Sequence, residues 1–371
     1  MIEISGSARA ALRMVLTRGL GVRSANALLR RFRSAQGVVD AGSAALEAEG
    51  IPPDVARDLV SAKAVERVGQ ELERAEVLGV RIVDQADPQY PPLLREIFDP
   101  PCALYIKGAE WVADAAQVGI VGTRRPTGYG INCAERIAED LAGRGLVVTS
   151  GLARGIDSAA HRGAARRGAT VAVFGCGLDF VYPRENRKLA EIVEQKGALI
   201  SEFPLGTPPS PENFPIRNRI IAGMTLGVLV VEAAEYSGSL ITARLALENN
   251  REVFAVPGAV TSPNSFGPHA LIRQGARLVS GWQDVVEELP GPIREKILTP
   301  LMPRMRSFPA PELEGVERRV WELLSLETPV SIDVLLDRTG AGATEVYGAI
   351  LNLETSNWIR QLPGKKYVRR L

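Results

Sequence analysis

The chain has 371 residues, enough for two or three domains, and its 46% hydrophobic content suits well-packed cores. A formal net charge of +1 means that affinity for a polyanion must come from local clusters of cations, not from a globally basic chain. Three scattered cysteines and two histidines, His161 and His269, exclude a disulfide scaffold, a cysteine-rich zinc site and a multi-histidine metal centre.

The first residues, Met-Ile-Glu-Ile-Ser-Gly, lack a basic region followed by an apolar run, and no stretch approaches the roughly 20 apolar residues of a membrane span. A soluble cytoplasmic protein with no membrane contact, metal or cofactor is expected. Residues 1–80 read as helical: Ala11, Leu12, Val15, Leu16, Leu20, Leu28, Leu29 and Phe32 recur at helical spacing, interrupted by Gly19 and Gly21. Helix, Gly-Leu-Gly turn, helix is a helix-hairpin-helix (SAM-like) pattern, with a weaker echo at 48–60. Such a turn can meet a DNA phosphate or serve packing alone. Residues 80–101 turn proline-rich and extended, yet Leu93, Leu94, Ile97 and Phe98 are too apolar for a free tether. A strand at 103–106 follows.

Across 81–290, short Val- and Ile-rich runs alternate with helical patterns. Strands are expected at 118–121, 146–149, 170–174, 198–200, 226–231, 252–256 and 277–279, with helices such as 130–144 and 239–249 between them. Continuous apolar runs suit strands covered on both faces, so this segment reads as an α/β, extended Rossmann-like, doubly wound parallel sheet. Its ligand site should lie at the carboxyl ends of the strands. Prolines 290, 292, 300, 303, 309 and 311 mark 291–312 as a linker unable to hold a helix for long. Residues 313–371 offer three helical stretches and an apolar-alternating hairpin around Pro363-Gly364, a winged helix.

Five turns carry glycine beside arginine or hydroxyl groups. Gly122-Thr123-Arg124-Arg125 ends a strand and precedes a helix; its amides are expected to form an anion nest and its arginines to grip phosphates. It is neither the G-x-G-x-x-G fingerprint nor a P-loop. Arg154-Gly155-Ile156-Asp157 opens the next helix, with Asp157 or Ser158 as its cap. Arg184 and Asn186 follow Tyr182-Pro183, where Phe180 or Tyr182 offers a face for base stacking or belongs to the core. Arg217-Asn218-Arg219 precedes an apolar helix expected at 220–226, so each arginine meets either an anion or an internal carboxylate, with Glu202, Glu212 and Glu232 available. Ser237 and Ser239 place hydroxyls at a helix start. His161 is expected to be a hydrogen-bonded core residue, and Cys176 has no evident base beside it.

With these motifs in order, the chain resembles the DNA-processing protein A (DprA/Smf) family: Gly-Thr-Arg, Gly-Leu-Ala-Arg-Gly-Ile-Asp-Ser-Ala-Ala-His, Gly-Leu-Asp-Phe-Val-Tyr-Pro-Arg-Glu-Asn, Phe-Pro-Ile-Arg-Asn-Arg and Ser-Gly-Ser-Leu-Ile-Thr-Ala. The resemblance implies a sequence-independent single-stranded DNA-binding protein that shields incoming strands and loads RecA recombinase in natural transformation. It puts the family's DNA-binding arginine on Arg124 and its basic position after Tyr-Pro on Arg184. It also implies a homodimer, with His269, Ile272 and Leu278 the interface candidates. Lys365, Lys366, Arg369 and Arg370 on the wing suit contact with duplex DNA or with a protein partner. The alternative is a nucleotide-processing enzyme of the phosphoribohydrolase type, using Asp157, Glu202 or Glu232; that type's Pro-Gly-Gly-x-Gly-Thr turn is missing, with Ser237-Gly238-Ser239 in the comparable place.

Overall fold

The computed structural model describes residues 4–109, 111, 113–298, 313–325, 329–356, 358–362 and 364–369, in two units, Met1–Thr299 and Pro300–Leu371. The first unit opens with six helices: α1 (Gly6–Leu16), α2 (Val22–Phe32), α3 (Ala35–Asp40), α4 (Gly42–Ala48), α5 (Pro53–Val60) and α6 (Ala62–Leu78). Ser5 and Ser61 cap α1 and α6 by accepting from the amides of Ala8 and Ala64. Gly19, at φ +89°, makes the left-handed turn between α1 and α2 that a side chain would strain. These helices are not a separate body. Leu12, Leu28, Leu46 and Leu59 are all but fully buried, in one cluster with Tyr105, Ala172, Phe174 and Leu199 of the sheet. Residue 80 is therefore a change of secondary structure inside one core, not a gap between two.

The chain continues through β1 (Arg81–Asp84), α7 (Pro92–Arg95), β2 (Ala103–Lys107), β3 (Gln117–Val121), α8 (Gly128–Ala142), β4 (Val147–Ser150), α9 (Ile156–Arg167), β5 (Thr170–Val173), α10 (Arg187–Lys196), β6 (Ala198–Ser201), α11 (Asn213–Met224), β7 (Gly227–Val230), α12 (Gly238–Glu248), β8 (Glu252–Ala255), α13 (Phe266–Arg273) and β9 (Arg277–Leu278). The nine strands form one sheet in the order β1-β2-β6-β5-β4-β3-β7-β8-β9. From β6 to β9 all pairings are parallel, while β1–β2 and β2–β6 are antiparallel. The mostly parallel α/β sheet is as expected. The strand at β1 is an addition, hidden in the sequence by its charged ends. Two reversals return β1 to the direction of β6, so its end at Asp84 lies on the same edge as the ends of β3 to β6.

After α14 (Trp282–Glu287), the expected linker is partly helical: α15 (Gly291–Leu298) seats Ile293 and Ile297 against a core cluster of the sheet. Pro292 does not prevent this, because a proline in the first helical turn removes an amide that has no intrahelical partner. The remainder of that expected linker, 299–312, lies outside the described residues.

The second unit holds α16 (Gly315–Leu323), β10 (Val330–Ser331), α17 (Ile332–Thr339), α18 (Ala343–Thr355), β11 (Ile359–Leu362) and β12 (Lys366–Arg369), its strands ordered β10-β12-β11. Three helices around Val320, Leu335, Val346 and Ile350 with a small antiparallel sheet make a winged helix. Lys365 and Lys366 are exposed at the wing tip. Arg369 is turned inward, its guanidinium 3.7 Å from the centre of the Trp321 ring and donating to the Trp321 carbonyl. Arg370 is outside the described residues.

Leu28→Ala tests the shared core. The loss should be about 2–5 kcal/mol, and hydrogen exchange should show β2 and β5 losing protection together with α1 and α2. Loss confined to the helices would mean that they unfold alone.

Candidate nucleic-acid interface

The turn after β3 is built against its neighbours. A Cβ on Gly122 would sit 2.6 Å from the Ile156 side chain and 2.9 Å from the Glu232 carbonyl, so only glycine lets the backbone through. The Thr123 amide donates to the Glu232 carbonyl at 2.7 Å, and the Thr123 hydroxyl accepts from the Arg125 amide. Several donors of the expected anion nest are thus engaged within the protein. The Glu232 carboxylate, 5% exposed, accepts from the Thr127 amide at 2.9 Å and the Thr127 hydroxyl at 2.6 Å, at the start of α8. Buried amides need partners, and here the protein supplies its own anion.

The turn after β4 repeats this. Asp157 does not cap α9; Gly155 does, at φ +79°, with its Cβ position only 2.3 Å from the Thr123 carbonyl. Asp157 reaches back to accept from the amides of Gly151 and Ala153, and the Ser158 hydroxyl donates to the Ala153 carbonyl. Burial pushes the Asp157 carboxyl above the usual range while nearby Arg217 pulls it down. Asn186 is structural, its amide donating to the Leu152 carbonyl and the Ser158 hydroxyl and so tying the Tyr-Pro-Arg turn to this one. Arg154, exposed, is ion-paired with Glu185. Cys176 donates to the Phe180 carbonyl, and burial raises its thiol to about 11, leaving it protonated at neutral pH.

The two arginines of α11 go separate ways. Arg219, expected at the ligand mouth, is 6% exposed and neutralised by Glu202, with Asp99 at 3.7 Å. It is a structural ion pair. Arg217, 4% exposed, threads past Gly151, where a Cβ would meet its guanidinium, and donates to the Val173 carbonyl at 2.7 Å. Burial lowers its pKa, opposed by Asp157. Asn218 reaches the Gly238 carbonyl at 3.4 Å. Ser237 and Ser239 hydrogen-bond each other at 2.7 Å at the start of α12, with Ser239 nearly buried.

What stays open is a small set. Arg124, Arg125 and Arg184 are exposed and have no carboxylate partner among the described residues. The Arg124 guanidinium lies 5.3 Å from the centre of the Phe214 ring; Phe214 stands 5.7 Å from Tyr182 at 30°, and Arg217 approaches the Phe214 ring at 6.0 Å. Arg124, Arg154, Tyr182, Phe214 and Arg217 line one cavity at the carboxyl edge of the sheet. A neighbouring cavity adds Asn218, Ser237 and Ser239. Of the two aromatic residues expected as a stacking face or as core, Phe180 and Tyr182, only Tyr182 lines these cavities. Phe214, which joins it, is not marked in the sequence: an aromatic residue directly before Pro215, ahead of the arginines, reads as punctuation.

The model of the family described as DNA recombination-mediator protein A matches residues 81–290, and that of the DprA winged helix domain matches 305–365. The chain belongs to the DNA recombination-mediator protein A family. It is 45% identical to Protein Smf of Escherichia coli (strain K12) over 284 residues, 76% of this chain and 75% of that one. It is 44% identical over 214 residues to the DNA processing protein DprA of Bacillus subtilis (strain 168), 57% of this chain and 72% of the relative. Among solved structures, DNA processing protein A from Streptococcus pneumoniae superposes with TM-score 0.67 at 33% identity, covering 78% of this chain and 99% of that one. DNA processing protein A from Helicobacter pylori, studied for its single-stranded DNA binding mode, gives TM-score 0.52 at 30% identity, covering 56% and 94%.

Away from the mouth, His269 hydrogen-bonds the Gly258 carbonyl, Ile272 is partly buried against the sheet, and Leu278 is 45% exposed on the edge strand β9. Among the described residues no helix is long and apolar enough to cross a membrane. His161 is fully buried, its Nδ1 2.7 Å from Thr170, whose own hydroxyl donates to the Val148 carbonyl, so Nδ1 carries the proton.

Burial lowers the His161 pKa from 6.5 to about 3. Its contribution to stability is therefore complete above pH 6.5 and is lost as pH falls through that window, by about 1.4 kcal/mol per pH unit. His161→Asn, which keeps a donor for Thr170, should flatten the acid limb of a stability–pH curve measured by urea denaturation. An unchanged limb would mean that the imidazole is charged in the fold.

Proposed function

We propose that this protein is a non-catalytic mediator that binds single-stranded DNA without sequence preference, acting in the cytoplasm during DNA uptake and passing the strand to RecA recombinase. The observation that carries this reading is the cation–aromatic platform of exposed Arg124, half-buried Phe214 and exposed Tyr182, with Arg125 and Arg184 unneutralised on the same two turns. Every base has a π face, so stacking on Phe214 and Tyr182 tolerates any sequence, while guanidinium groups track the backbone. Arg154 joins them when phosphate competes with Glu185, an exposed pair of small worth. Ser237 and Asn218 extend the polar rim. The family description and the single-stranded DNA binding mode studied in the Helicobacter pylori protein support the same direction. The acids available to a phosphoribohydrolase reaction are engaged elsewhere: Glu202 with Arg219, Glu232 with Thr127, Asp157 with turn amides.

Arg124→Ala combined with Arg184→Ala should weaken oligothymidylate binding and reduce the slope of log affinity against log salt by about 1.4, as two lost phosphate contacts require. Phe214→Ala should weaken binding by about 1–3 kcal/mol per stacked base with no change in that slope. Wild-type behaviour of both variants, or release of base from nucleoside monophosphates, would overturn the assignment.

A homodimer through the β9 edge completes the proposal, with Leu278 and Ile272 as its apolar contacts and His269 holding the preceding loop. Leu278→Asp should give monomers by sedimentation equilibrium and leave short-strand affinity intact. A variant that sediments like the wild type would place the interface elsewhere.

A further inference from the structure

A second cationic groove lies on the same edge of the sheet, between α2 and the loops that end β1 and precede β2. Arg30, Arg33 and Arg95 line it together with Phe98 and one carboxylate, the buried Asp84, which accepts from the Ser7 hydroxyl. Arg30 and Arg33 are exposed without any ion-pair partner among the described residues, whereas Arg31 between them is paired with Glu49. Arg95 donates only to the Asp87 carbonyl and lies over the Tyr90 ring. Phe98, one of the residues lining this cavity, is 73% exposed, a large apolar ring left open to solvent. Arg33 also holds a left-handed backbone, φ +67°, at the end of α2, a conformation that an arginine adopts only under constraint. The floor beneath is rigid: Asn26 donates to the Pro100 carbonyl, and Gln85 donates to Asn26 and to the carbonyls of Pro100 and Pro101.

The topology relates this groove to the mouth at Arg124. Asp84 pairs with Ala103 and Tyr105 with Ser201, so the end of β1 and the ends of β3 to β6 face one way. Five inter-strand steps separate β3 from β1, about 24 Å at the usual spacing. Carboxylates flanking that path are held: Glu185 by Arg154, and Glu202 and Asp99 by Arg219. Asp179 accepts from the Gly206 amide. Resting on the reading above, we infer that a single DNA strand leaving the Arg124 mouth runs along the carboxyl edge and ends in this groove, with phosphates on Arg30, Arg33 and Arg95 and a base stacked on Phe98. An exposed ring among cations fits an unpaired strand better than a duplex, whose bases are stacked on each other.

The test uses the full chain and fluorescent oligothymidylates of about 5 and about 30 nucleotides, the shorter within the site size of one small domain. The variant Arg30→Gln, Arg33→Gly, Arg95→Gln should bind the short strand as wild type does. It should bind the long one on the order of ten-fold more weakly at moderate salt, with the salt slope lower by about 2 for three lost contacts. Phe98→Ala, an exposed change that spares the fold, should weaken the long strand alone and leave its slope unchanged. Arg124→Ala should weaken both lengths. If Arg124→Ala weakens both while the groove variants bind the long strand with wild-type affinity and slope, the extended track is overturned and the groove is left to an acidic protein segment. If Arg124→Ala binds both lengths as wild type, the mouth assignment itself fails.

Discussion

Glu232 and Asp157 set the electrostatics of the sheet edge. Glu232 accepts from the amide and hydroxyl of Thr127, and Asp157 from the amides of Gly151 and Ala153, so each puts a buried carboxylate where an α/β turn would otherwise offer donors to a phosphate. Beside these engaged donors, the exposed positive charge is carried by the side chains of Arg124, Arg125 and Arg184. A phosphate held by amides is fixed at one point and in one orientation. Guanidinium groups on and beside aromatic rings hold a chain of phosphates and bases with far less demand on geometry. The same two carboxylates balance the interior: Asp157 offsets the buried charge of Arg217, which reaches the cavity from below Phe214.

Glycine makes this arrangement possible at two positions. At Gly151 the absent side chain gives Arg217 its passage, and at Gly155 the positive φ lets α9 start directly against the β3 turn. Turn, arginine and helix start are thus packed closely together, and the loops that carry Arg124 and Tyr182 are held against α9 and α11, which carries Phe214. The N-terminal helices add to this rigidity because their core is continuous with the sheet face beneath Phe174 and Leu199.

Much of this was legible in the sequence because apolar runs of four or five residues, bounded by glycine, have few alternatives to buried parallel strands. The seven expected strands of the parallel part appear within a residue or two of their expected bounds. The strand β1 was missed because Arg81 and Asp84 break its apolar run, and α15 because Pro290 and Pro292 read as breakers when they stand at a helix start. Arg217 and Arg219 looked alike; two positions apart on a helix they point to different sides, one to a strand carbonyl and the other to Glu202. Nothing local distinguishes them. The glycine-rich turns correctly announced clustered amides, but what occupies those amides comes from far along the chain.

Thr127 and Glu232 are 105 positions apart, and β3 pairs with β7 only once the chain has run through α11. During synthesis the N-terminal part emerges first, so Thr127 leaves the ribosome well before the carboxylate to which it donates. A chain ending before β7 would thus lack the carboxylate that neutralises the start of α8. That carboxylate is delivered directly after the strand that pairs with β3.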